Sequence, residues 1–101
     1  MSKVIKLGDE VGKVMEILKM TPEEMSDVLG IPTTRLKEIR KENTMDTREL
    51  CSFEVFCEKS ILFRKEFGLK EEDKRILLEV FCLVEILIAS RGKNENWKYM
   101  C

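Results

Sequence analysis

Apolar residues recur at helical spacing along most of the chain. Val11, Val14, Met15 and Leu18 keep one stripe at steps of three and four, which predicts a first helix over residues 9–19. The preceding MSKVIKLG reads as an arm or a short extended lead-in. Thr21-Pro22-Glu23-Glu24 is then a strong helix start. The Thr21 hydroxyl can cap, Pro22 suits the first helical position, and Glu24 completes a capping box. This second helix is short, because Gly30 ends it and Pro32 forbids its continuation. A third helix is expected from Thr33 to about Glu42, with Leu36 and Ile39 inward. After the turn Asn43-Thr44-Met45, Asp46 caps a fourth helix with Glu49 as its reciprocal partner. Phe53, Phe56, Phe63 and Phe67 form its stripe, with Ser60 filling the gap and Leu50 and Cys57 alongside; Gly68-Leu69 reads as its glycine stop. A fifth helix covers roughly residues 71–90 and ends at Arg91-Gly92. Nothing reads as a strand, so the expected fold class is all-α.

The second and third helices carry the most specific information. They meet at Gly30, where a residue without a Cβ adopts a left-handed turn at little cost. Met25, Leu29, Ile31, Leu36 and Ile39 are the apolar set that locks the pair at a steep angle, and Ser26 is small where they cross. With those positions inward, the outer side of the third helix carries Thr33, Thr34, Lys37 and Glu38, flanked by Arg35, Arg40 and Lys41. A helix of this kind fits the major groove, ~12 Å wide, where base edges present distinguishable donor and acceptor patterns.

Composition narrows this further. The 18 basic and 19 acidic residues give a net charge of −1, so no global field draws the chain to nucleic acid, and any DNA binding must rest on a local basic surface. Residues 33–41 supply one: Arg35, Lys37, Arg40 and Lys41 stand against the single acid Glu38. The absence of His removes the commonest metal ligand and general base. With no phosphate loop or nucleophile–base pair either, no catalysis, cofactor or metal is expected. The apolar run at residues 76–90 is shorter than the ~18–20 residues of a membrane span and is interrupted by Glu79 and Glu85. No apolar leader follows Lys3 and Lys6, so a cytoplasmic location is expected. Cys51, Cys57, Cys82 and Cys101 are then expected to be reduced thiols.

The run Met20-Thr-Pro-Glu-Glu-Met-Ser-Asp-Val-Leu-Gly-Ile-Pro-Thr-Thr-Arg-Leu-Lys-Glu-Ile-Arg resembles the helix-turn-helix of the phage-repressor and Cro-like (Xre-type) family, L-T-x-E-E-L-A-x-x-L-G-V-S-x-x-x-I-S-x-I-E. The match is good over residues 20–40 and loose over 9–42. The resemblance implies that Thr33, Thr34, Lys37 and Glu38 meet base edges and that Thr21 and Glu23 lie near phosphate. Three positions depart from the pattern: Ser26 replaces a small Ala, Pro22 replaces a phosphate-binding Gln, and Arg40 replaces the final Glu. Beyond residue 42 a longer Phe-rich helix replaces the short fourth helix of the family, so the family's dimer geometry does not transfer.

The fifth helix is apolar nearly all round. One face can pack on the Phe-rich helix, and the remainder suggests a two-fold dimer through residues 71–90, with Leu77, Val80, Phe81, Leu83, Val84, Leu87 and Ile88 as the contact. The expected organisation is a helix-turn-helix DNA-binding region at 1–45, a helical hairpin for core and dimerisation at 46–92, and a loose tail at 93–101. The function expected is a homodimeric, sequence-specific transcriptional regulator of duplex DNA, a repressor of a bacterial or mobile-element operon. The rival expectation is a protein-binding inhibitor or antitoxin-like module that reuses the fold.

Overall fold

The computed structural model describes residues 6–63 and 68–95, with side chains through residue 91. Among these, the chain is all-helical: α1 (Leu7–Leu18), α2 (Pro22–Leu29), α3 (Thr33–Glu42), α4 (Thr47–Leu62) and α5 (Glu71–Glu95). The amphipathic stripes anticipated from the sequence converge on one core. Val11, Val14, Met25, Ile39, Leu50, Phe53, Leu77 and Val84 are completely buried there. The α4–α5 hairpin is the most extensive packing, and α1 lies across both α3 and α5. One apolar interior is thus shared by the turn-bearing N-terminal helices and the hairpin.

Three boundaries differ from the sequence expectation. Helix α1 starts at Leu7, inside the expected lead-in. Its N-cap residue Lys6 makes no side-chain cap. Instead the Gly8 N–H donates to Asn43 Oδ1 at 3.0 Å, so a donor orphaned at the helix start is satisfied from the far end of α3. Helix α4 stops at Leu62, with Phe63 as its C-cap residue. Phe53 is buried as expected, whereas Phe63 is 51% exposed, so the stripe does not extend to it. Phe67 lies outside the described residues, and Gly68 has the left-handed φ of 68° expected of a stop. Helix α5 runs through Gly92 to Glu95, past the expected end. A glycine ends a helix only where the backbone turns left-handed; inside one it costs about 1 kcal/mol. The expected tail is therefore helical as far as residue 95, and residues 96–101 lie outside the described part.

The cysteine expectation needs one correction. Cys57 is a buried free thiol and Cys82 an exposed one, as anticipated. Cys51, however, is disulfide-bonded rather than reduced. Cys101 lies outside the described residues. Burial, with the nearby charges of Glu54 and Glu10, pushes the Cys57 thiol up to about 12, which leaves it protonated and unreactive at neutral pH. No described helix is long and apolar enough to cross a membrane.

Candidate nucleic-acid interface

Local chemistry sets the bend between α2 and α3. Thr21 Oγ1 accepts from the Glu24 N–H at 3.1 Å, and Glu24 Oε1 accepts from the Thr21 N–H at 2.9 Å, closing a capping box. At the other end Gly30 takes φ 69° and ψ 35°. The Gly30 N–H donates to Asp27 O and the Ile31 N–H to Ser26 O, which satisfies the last carbonyls of α2. Pro32, at φ −68° and ψ 155°, then launches α3 in a new direction. Met25, Leu29, Leu36 and Ile39 are buried at the crossing and Ile31 partly so. Ser26 is also buried, and its hydroxyl has no hydrogen-bond partner.

With Leu36 and Ile39 inward, the opposite side of α3 faces outward. Thr33, Thr34, Lys37, Glu38, Arg40 and Lys41 are all exposed. Arg35 is different. Its Nε donates to Glu49 Oε2 at 2.7 Å and its Nη2 to Glu49 Oε1 at 2.8 Å, a bidentate pair, while Nη1 reaches Glu38 Oε1 at 3.2 Å. Glu49 is buried, and it also accepts from the Asp46 N–H at the start of α4. The Arg35 hydrogen bonds hold the Glu49 carboxyl below the usual carboxylate range despite its desolvation, helped by the Asp46 N–H, and they raise the Arg35 pKa in turn. Arg40 lies over α1, where a Cβ on Gly12 would come within 3.1 Å of its Nη2. Of the four cations expected on this surface, Lys37 and Lys41 are thus left pointing outward with no salt bridge among the described residues.

The two helix starts differ in what they offer an anion. At α2 the Thr21 N–H is already bonded to Glu24, and Glu23 adds a second carboxylate to the first turn. The expected phosphate contact near Thr21 and Glu23 would therefore have to form beside two carboxylates, whose charge disfavours an anion. The start of α3 has no side-chain cap and no acid in its first turn, and it carries the exposed hydroxyls of Thr33 and Thr34. Its free N–H groups and helix dipole favour negative charge.

Helix α3 is fixed at its far end by backbone contact. A Cβ on Gly8 would lie 2.5 Å from the Arg40 carbonyl oxygen, so only glycine permits α1 to approach α3 this closely. Asn43, left-handed at φ 61°, donates its N–H to Ile39 O and accepts from Gly8 through its side chain. Sequence reasoning missed Gly8, Asn43 and Glu49 as parts of this apparatus. Two signals were available: glycines four residues apart on a helix, and an Asn directly after one.

The expected subunit contact on α5 is mostly interior. Leu77, Val80, Val84 and Ile88 belong to the core of their own chain, and Phe81, Leu83 and Leu87 are half-buried. Four residues assigned to a dimer seam are therefore already occupied, because α1 and α4 cover that side. The large apolar residues that α5 turns outward among the described residues are Leu78 and Ile86, with Cys82 between them.

Compared with protein-family models, curated proteins and solved structures, the chain matches none. The likeness to phage-repressor and Cro-like sequences stands on the motif at residues 20–40.

Proposed function

We propose that this chain is a sequence-specific transcriptional regulator that reads duplex DNA through the outer face of α3. One observation carries the reading: α3 buries only Leu36 and Ile39 and leaves Thr33, Thr34, Lys37, Glu38 and Lys41 exposed together on a short helix that follows a tight turn. Short polar side chains at such a face can approach base edges, and the two lysines supply attraction to the flanking phosphates. The uncapped start of α3 is a further place for a phosphate oxygen. Arg40 flanks the face, and Thr21 and Glu23 contribute position rather than charge attraction.

The regulator acts as a cytoplasmic homodimer and repressor in this proposal, since paired half-sites about one helical turn, ~34 Å, apart double the contact area. The subunit contact uses the outer side of α5, Leu78, Cys82 and Ile86 with half-buried Leu83, in place of the interior residues. A second reading, a protein-binding inhibitor or antitoxin-like module, is favoured by the acidic cap of α2 and the net charge of −1. Selection from a pool of random duplexes separates the two. The DNA reading predicts enrichment of a shared, two-fold symmetric site; a pool that stays random after repeated rounds supports the protein-binding module.

A further inference from the structure

Helix α3 packs on α1 and α2 but only sparsely on α4. Among the described residues, one polar link joins α3 to α4, and it is Arg35 to Glu49. Arg35 sits in the first turn of α3 and Glu49 in the first turn of α4. The Glu49 side chain is only 9% exposed and that of Arg35 28%, so the pair is shielded from solvent far better than an ordinary surface bridge. Glu49 is held in turn by the Asp46 cap, through 2.9 Å and 2.8 Å bonds in both directions. Its carboxylate is therefore a fixed anchor.

From this geometry we infer that Arg35 is a positioning residue: it braces the start of α3 against α4 and sets the angle at which the exposed face is presented, instead of contacting DNA phosphate. The inference rests on the DNA-reading proposal and reverses the role that the local sequence suggested for this arginine. The chemistry favours the brace. A guanidinium matches a carboxylate with two parallel N–H···O bonds, and the Nε/Nη2 edge that could grip a phosphate in this way is committed to Glu49, while Nη1 donates a single bond to Glu38. With Gly8 and Asn43 fixing the far end of α3, the helix is tied at both ends while its outer face stays open.

The two roles predict opposite results for Glu49→Gln. Glutamine at this position still completes the capping box, so the start of α4 is kept while the charged anchor is lost. A brace predicts that E49Q weakens duplex binding by about tenfold, the size of one base contact put out of register. A phosphate contact predicts that E49Q releases Arg35 and leaves binding unchanged or tighter. Arg35→Lys adds an independent arm. A lysine keeps the charge but cannot form the fork, so the brace predicts a loss close to that of Arg35→Ala. In Arg35→Ala the salt dependence should keep its wild-type slope, whereas loss of a true phosphate contact lowers the slope by about 0.9. Wild-type affinity in both R35K and E49Q overturns the inference.

Thermal melting of the free protein judges the brace even if the chain binds no duplex. R35A and E49Q should each lower Tm, and the double variant R35A/E49Q should melt no lower than the weaker single one. Additive losses overturn the brace. Failure of wild type to bind any duplex, with coupled melting intact, overturns the DNA reading and keeps Arg35 as the strut of α3.

Discussion

Helix α3 is attached to the body by two buried side chains, Leu36 and Ile39, whereas α5 buries Leu77, Val80, Val84 and Ile88 in a continuous row. The row on α5 is nonspecific in direction, since hydrophobic burial rewards area and tolerates small shifts. The attachment of α3 is sparse and directional: a bidentate bridge near one end, a glycine-only backbone contact and an asparagine bond at the other. The difference follows from what each helix must leave uncovered. A helix with an open outer face cannot be wrapped by its neighbours, so its placement depends on a few exact contacts at its ends. The hairpin needs no such device, since α4 and α5 form the most extensive helix–helix packing among the described residues.

The largest effect that sharpens this contrast comes from the hairpin. Phe53 is completely buried, and Phe53→Ala is expected to cost about 3–5 kcal/mol, enough to unfold α1 and α3 along with α4 in one chemical-denaturation transition. A transition in which the N-terminal helices survive would break the single-core picture. Next in size is Gly8→Ala. A Cβ there meets immovable backbone at Arg40, so a loss of about 1–3 kcal/mol is expected. Amide exchange should show the opening concentrated in α1 and α3, with α5 protected.

These contacts also mark where the sequence was legible. The five helices, the Thr21 and Asp46 caps and the Gly30 bend were readable because each depends on local residue chemistry. The burial of Met25, Leu29, Leu36 and Ile39 was readable because it follows helical period. The role of Arg35 was not: an arginine on a helix face looks the same whether it meets solvent, phosphate or a carboxylate fourteen residues away, and only the placement of Glu49 decides. The inward side of α5 was not legible for a related reason. A helix apolar on several sides gives no clue to which side its own chain covers, and the structure turns Leu77, Val80, Val84 and Ile88 inward.

A smaller effect tests the crossing of α2 and α3. The Ser26 hydroxyl is buried without a partner, so Ser26→Ala should stabilise the chain by about 1 kcal/mol, seen as a raised Tm. A lower Tm would show that the hydroxyl is bonded in solution.

Acid should act oppositely on the two regions. The folded-state pKa of Glu49 is depressed, so its contribution is present above the unfolded carboxylate value and is lost as pH falls through the folded one. For Glu54, burial first, and then Glu85 and Glu58, raise the folded-state pKa. Its ionisation therefore opposes folding at neutral pH, and that penalty is relieved as pH falls through the raised value. Acid below the ordinary carboxylate range should loosen α3 relative to the hairpin in amide exchange. Glu54→Gln should raise Tm at neutral pH and lose that advantage in acid. An E54Q protein with the same Tm difference at every pH would remove the carboxylate account of the hairpin.

The most direct test of α3 as the reading element is the salt dependence of duplex binding by wild type, Lys37→Ala and Lys41→Ala. Wild type should lose affinity steeply as salt rises, and each alanine variant should bind more weakly with a slope smaller by about 0.9, without any change in helicity or Tm. Binding that is indifferent to salt, or identical in all three proteins, would contradict the assignment of this face to DNA.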